Sequence, residues 1–153
     1  MSALERIMRV TGRKPIDCKC RICQSFCQTP CLGTPEDILR LFDAGYGDKL
    51  KLTYWGVGML YGILDYPILM VQLVQCPAGC ILFREGRCKL HELGLKPTEG
   101  RLAHHIITSE NLSFRKSLSW NVAREWLHKE NESVVKEVFD RLEGFRKQAG
   151  RKM

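Results

Sequence analysis

A chain of 153 residues, 44% apolar and 27% charged, is long enough for one domain with a core of its own. Its eight cysteines are therefore not needed as staples for a marginal scaffold, and the composition excludes a disordered, fibrous or low-complexity chain. The net charge of +7 is uneven. Residues 1–31 carry +4, from Arg6, Arg9, Arg13, Lys14, Lys19 and Arg21 against Glu5 and Asp17; residues 140–153 carry +3; the middle of the chain is neutral.

From Met1 to Arg9 charged and apolar residues alternate, without the uninterrupted apolar core of a secretory signal. The expectation is a cytoplasmic chain whose thiols stay reduced, so that clustered cysteines are metal ligands rather than disulfides. The first cluster reads Cys18-x-Cys20-x2-Cys23-x3-Cys27-x3-Cys31. A CxxC step lets two sulfurs approach one ion from a single turn, at a Zn–S distance of about 2.3 Å. Five sulfurs exceed what one tetrahedral ion takes.

Directly after Cys31, Thr34 is a candidate N-cap, Pro35 suits the first helical position, and Asp37 completes a capping box. The apolar face of Ile38, Leu39, Leu41 and Phe42 predicts a helix ending near Gly45-Tyr46-Gly47. Leu50–Trp55 and Ile68–Val74 are apolar, β-branched and aromatic, with Gly and Pro between them, and predict paired strands. The stretch from Tyr54 to Val74 is broken by Gly56, Gly58, Gly62, Asp65 and Pro67. It lacks the roughly 18 uninterrupted apolar residues of a spanning helix, so it reads as core and no membrane partner is expected.

The second cluster, Cys76-x3-Cys80-x7-Cys88, includes a tight turn at Phe83–Cys88. Cysteines at a sheet edge beside a turn suit zinc ribbons and knuckles, whereas the short steps Cys20-x2-Cys23-x3-Cys27 also suit an iron–sulfur cluster. Spacing alone leaves zinc and iron both open. Zn²⁺ with four thiolates sums to −2, so two such sites lower +7 to +3, and Lys14, Lys19 and Arg21 read as offsets to thiolate charge. His91, three residues after Cys88, and His104-His105 are further candidate ligands, although eight sulfurs already suffice for two tetrahedral sites. His128 reads as solvated, and Glu99 with His104 is too slight a pair to carry acid–base catalysis.

Past Pro97 the cysteines stop. Trp120, Ala123, Trp126, Leu127, Val134, Val135, Val138, Phe139, Leu142 and Phe145 recur at spacings of three and four, predicting one or two C-terminal helices with a core-facing stripe, weakened at Gly144 and Gly150.

Cys20-x2-Cys23-x2-Phe26-Cys27, then Thr34-Pro35-Glu36-Asp37-Ile38, then Cys80-Ile81-Leu82-Phe83-Arg84-Glu85-Gly86-Arg87-Cys88 together resemble the zinc- or iron-chelating CxxCxxCC domain family. The resemblance spans residues 18–101. It implies Cys20, Cys23, Cys27, Cys80 and Cys88 as ligands, with Cys18, Cys31 and Cys76 additional. Phe26 stands where the family pattern has the first of its paired cysteines. Gly100, in Lys96-Pro97-Thr98-Glu99-Gly100-Arg101, stands where it has its last. Some flagellin lysine methylases resemble the family too, which implies a link to methyl transfer.

The expected architecture is a single α+β domain over 1–153. A cysteine-rich metal-binding part with a short antiparallel β element occupies 18–101, and a helical part occupies 111–149. The first functional reading is a protein holding one or two zinc ions, or an iron–sulfur cluster, through Cys18, Cys20, Cys23, Cys27, Cys31, Cys76, Cys80 and Cys88. The second is a metal- or cluster-dependent enzyme. The third is a nucleic-acid-binding zinc module, placed last because the basic residues flank the aromatic ones without interleaving.

Overall fold

The computed structural model describes residues 1–15, 31–76, 79–80, 83–84, 87–88, 95–103 and 113–151. Helix α1 (Ala3–Thr11) opens in a capping box of Ser2 and Glu5 and stops at Gly12, whose φ of 73° lies in the left-handed region that glycine adopts freely. The alternation of charge and apolar residues there is thus an amphipathic helix. Its Ile7 is buried with Leu102, Leu118 and Val122 in a small second core.

Helix α2 (Pro35–Asp43) has the expected capping box, with the Thr34 hydroxyl accepting from the Asp37 amide and the Asp37 carboxylate accepting from the Thr34 amide. It buries Ile38 and Leu41. Strands β1 (Leu50–Trp55) and β2 (Ile68–Leu73) pair antiparallel, from Leu50 opposite Leu73 to Trp55 opposite Ile68. Between them lies the one-turn helix α3 (Val57–Leu60).

Two shorter antiparallel pairs follow: β3 (Gln75–Cys76) with β4 (Gly79–Cys80), and β5 (Phe83–Arg84) with β6 (Arg87–Cys88). Helix α4 (Thr98–Leu102) comes next. The C-terminal part comprises α5 (Leu118–Ala123), two 3-10 turns (Arg124–Leu127 and Lys129–Asn131) and the long α6 (Glu132–Arg151). The architecture is α+β. Helix α6 runs through Gly144 and Gly150 rather than ending at either.

The main core joins Ile38 and Leu41 of α2, Leu50, Trp55, Ile68, Met70, Val71 and Leu73 of the hairpin, and Trp120, Ala123, Trp126, Val138 and Leu142 of the C-terminal part. The predicted stripe is core for these residues, but Leu127 and Phe145 are exposed. The stretch from Tyr54 to Val74 divides likewise. The strand residues just named are buried, whereas Tyr54, Met59, Leu60, Tyr61, Tyr66 and Leu69 face water. A reading of the whole stretch as core is therefore corrected: the turn carries the chain out over one end of the sheet, where these side chains stay exposed, Tyr61 even with one face on Phe114.

Several terminal cations are engaged within the fold. Arg6 grips the buried Glu125 through two nitrogens at 3.2 and 2.6 Å and also reaches Glu130. Arg13 donates to the Leu102 carbonyl at 3.1 Å, and Arg141 meets Asp43 and Glu137.

Asp37 does more than cap its helix. Its Oδ2 accepts from the amides of Thr34 and Thr98 at 2.9 and 2.8 Å and from the Thr98 hydroxyl, while Oδ1 accepts from Arg101 at 2.8 Å. Replacing it leaves several buried donors and a guanidinium without their acceptor, so Asp37→Ala is expected to lower unfolding free energy by about 3–5 kcal/mol. Glu36→Ala, at an exposed neighbour, should cost under about 0.5 kcal/mol. Equal midpoints for the two variants in urea titrations would refute this role.

Candidate metal centre

Of the eight sequence-predicted ligands, Cys18, Cys20, Cys23 and Cys27 lie outside the described residues, as do His91, His104 and His105. Cys31 is described in full, and Cys76, Cys80 and Cys88 by their backbone. Cys76 pairs across its ladder with Gly79, Cys80 with Gln75, and Cys88 with Phe83. The second cluster is thus strung along two minimal hairpins, in keeping with the turn read at Phe83–Cys88. Among the described residues no three His, Cys, Asp or Glu side chains form a metal-holding group. His128 is half-buried and its Nδ1 accepts from the Glu130 amide at 3.2 Å, which caps a 3-10 turn.

Cys31 is only 7% exposed, and the residues after it are fastened from three directions. Leu32 exchanges two hydrogen bonds with Glu99: its amide donates to the carboxylate at 3.1 Å, and its carbonyl accepts from the Glu99 amide at 3.0 Å. The side-chain amide of Gln72 brackets Gly33, accepting from its N–H at 2.8 Å and donating to its carbonyl at 3.0 Å. Trp126 Nε1 donates to the same carbonyl at 2.8 Å. Gly33 suits this position because a Cβ there would sit 3.0 Å from Ile38 Cδ1 and 3.2 Å from Asp37 Cβ.

The bracket on Gly33 has a consequence for the cysteines. Gln72 is on β2 and lies four residues before Cys76, while Gly33 lies two residues after Cys31. A chain advances at most about 3.3–3.6 Å per residue, so the end of the first cluster and the start of the second leave from neighbouring points of the scaffold.

Helix α4 closes against this point. An ideal Cβ built on Gly100 would lie 2.9 Å from Cys31 Sγ and 2.8 Å from Lys96 Cε, both closer than real Cβ atoms come to a neighbour, and of the two the flexible lysine end is the one free to swing away. Gly100 is the position at which the resembled pattern carries its last cysteine, and the Cys31 sulfur lies against it. Next to it, Arg101 directs Nη2 to Asp37 and Thr98, while its buried Nε has no hydrogen-bond partner among the described residues. Burial pushes the Glu99 carboxyl up to about 7, against the smaller downward pull of the Leu32 amide. Gln72, Glu99 and Trp126 were not legible as supports, because each acts through a backbone group distant in sequence. Arg101 had one signal, its place in the resembled motif.

Comparison with protein-family models, with curated proteins and with solved structures finds no match to this chain. The close approach at Gly100 is checkable as a double-mutant cycle. Gly100→Ala is expected to destabilise the protein by about 1–3 kcal/mol through overpacking. In a Cys31→Ala background, where the obstructing sulfur is gone, the same change should cost under about 1 kcal/mol. Additive effects would show that the sulfur and the glycine do not meet.

Proposed function

We propose that this protein is a metal-binding protein in which thiolates of residues 18–31 and 76–88 share one or two centres, zinc being the first candidate and iron or an iron–sulfur cluster the second. The observation that carries the reading is the placement of Cys31: buried, held by its neighbours, and with its sulfur against the glycine that replaces the pattern's last cysteine. On this reading Cys31 would offer a sulfur close to the place where the resembled pattern has its last cysteine. The cluster beginning at Cys76 also starts close to the same anchor, through the Gln72–Gly33 bracket.

The donor set suits such an ion. Thiolates favour zinc and iron–sulfur clusters over hard cations, and their negative charge answers the chain's +7. The spare Nε–H of Arg101 is a donor of the kind that outer-shell groups offer to ligand atoms. A cation nearby would also reverse the effect of burial on the Glu99 carboxyl, favouring its ionised form. Of these residues Cys31 would hold the metal, Leu32 and Gly33 would fix its approach, and Glu99 and Arg101 would tune its surroundings.

Elemental analysis of anaerobically purified protein tests the reading. Stoichiometric zinc in a colourless sample, or iron with sulfide and visible charge-transfer absorption, is the expected result; protein free of both, with reduced thiols, would sink it. Removing the metal with a chelator should lower the melting temperature, because binding and folding are coupled. Cys31→Ala should reduce bound metal, and Cys31→Ala/Gly100→Cys should restore it, since the thiol introduced at position 100 enters the volume that the Cys31 sulfur vacates. Failure of the rescue with the fold intact would remove Cys31 from the ligand set.

A further inference from the structure

Six of the ten exposed large apolar side chains among the described residues lie between positions 54 and 69: Tyr54, Met59, Leu60, Tyr61, Tyr66 and Leu69. They share one end of the β1–β2 hairpin, since Tyr54 pairs across the ladder with Leu69 and the other four belong to the connection beyond it. Leu60 is 84% exposed, Tyr54 67% and Tyr61 63%. Asp65 is the only charged residue from 54 to 69.

This tip is built into the fold. Val57, Ile63 and Leu64 of the same connection pack on the main core, and Leu64 lies under Gly58, where a Cβ would meet it at 3.2 Å. With these three turned inward, their neighbours are held outward. Tyr61 stacks on Phe114 at 4.1 Å between ring centroids, nearly parallel at 8°. Phe114 in turn joins the aromatic group of Trp55 and Trp120. That stack brings in the next two residues of the chain, Arg115 and Lys116, both exposed and without an ion pair among the described residues. Two exposed cations thus follow directly in the chain from the ring on which Tyr61 stacks.

We propose that this tip docks on an anionic membrane surface, with Leu60, Met59 and the tyrosines entering the interfacial layer and Arg115 and Lys116 meeting lipid phosphate and carboxylate groups. An exposed apolar patch of this kind marks an interaction site, and charge selects among the occupants. Beside the tip the balance is local: Arg115 and Lys116 outnumber Asp65, which opposes a second copy of the same tip and attracts an anionic surface. A single-stranded nucleic acid would use the tyrosines and the cations, but it would leave Leu60, Met59 and Leu69 facing water. A membrane surface offers anionic charge above an apolar layer, and tyrosine is at home in the zone between the two. No helix among the described residues is long and apolar enough to cross a membrane, and the charge of Asp65 holds the contact at the interface. The expectation of no membrane partner rested on the lack of a spanning segment, which interfacial docking does not require.

Sedimentation of the 153-residue protein, as purified, with vesicles tests this. Binding is expected to vesicles containing phosphatidylserine and to be at least tenfold weaker to pure phosphatidylcholine, falling steeply as salt is raised. Leu60→Asp should weaken binding by about tenfold or more, and Arg115→Glu/Lys116→Glu should abolish the preference for phosphatidylserine. Both variants lie at exposed positions and should keep wild-type circular dichroism and metal content, which separates this outcome from loss of the metal centre. The proposal is overturned by no vesicle binding at low salt, or by binding that Leu60→Asp leaves unchanged. It is equally overturned if Leu60→Asp disrupts only self-association or oligonucleotide binding.

Discussion

The carboxylate of Asp37 is the constraint on which the arrangement around Cys31 depends. One side chain closes the N-terminus of α2, receives the backbone and hydroxyl of Thr98, and pairs with Arg101. Buried carboxylates survive in a protein interior only when their oxygens are filled with donors, and here the donors come from two segments some sixty residues apart. That demand draws α4 onto the start of α2. Once α4 is there, Glu99 meets Leu32 and Gly100 meets the Cys31 sulfur. Three consecutive residues of one short helix thus serve one purpose: Thr98 docks it, Glu99 fastens the incoming chain, and Gly100 leaves room for the thiol.

Elements that carry their own local chemistry were legible in the sequence. The capping box at Thr34 and Asp37, the strand pair and the aromatic stripe each follow from residues near one another in the chain. Helix α2 and the pairing of β1 with β2 accordingly stand where they were expected. What escaped reading depends on distant partners. Asp37 was visible as a cap but not as the acceptor for Thr98 and Arg101, and Gln72 looked like any strand residue until its amide was seen to bracket Gly33. Helix α1 is a different case. Its cap, Ser2 with Glu5, was local, but the charge alternation drew notice instead. The connection from Gly56 to Pro67 defeated the reading because hydrophobicity predicts burial on average and cannot say which turn residues the core has room for. Residues 57, 63 and 64 fill that room, and their neighbours remain outside.

The two halves of the chain stand in an unequal relation to the candidate centre. The hairpin β1–β2, helices α1 and α2, and the C-terminal helices share apolar cores built of side chains from all of them. Among the described residues, the chain on either side of the first cysteine cluster is tied to this body by polar contacts: Gly33 to Gln72 and Trp126, Leu32 to Glu99, and Arg13 to the Leu102 carbonyl.

The burial of Cys31 bears on the chemical durability of the protein. At 7% exposure, the Cys31 sulfur beneath Gly100 and beside the twice hydrogen-bonded Leu32 is shielded from solvent-borne oxidants and alkylating agents while the fold is closed. Attack must wait for a local opening that breaks the Glu99 and Gln72 contacts together, so its rate is set by the frequency of that opening and not by the reagent's intrinsic appetite for sulfur. The same enclosure keeps Cys31 from disulfide exchange with other molecules, so the thiol is preserved by position.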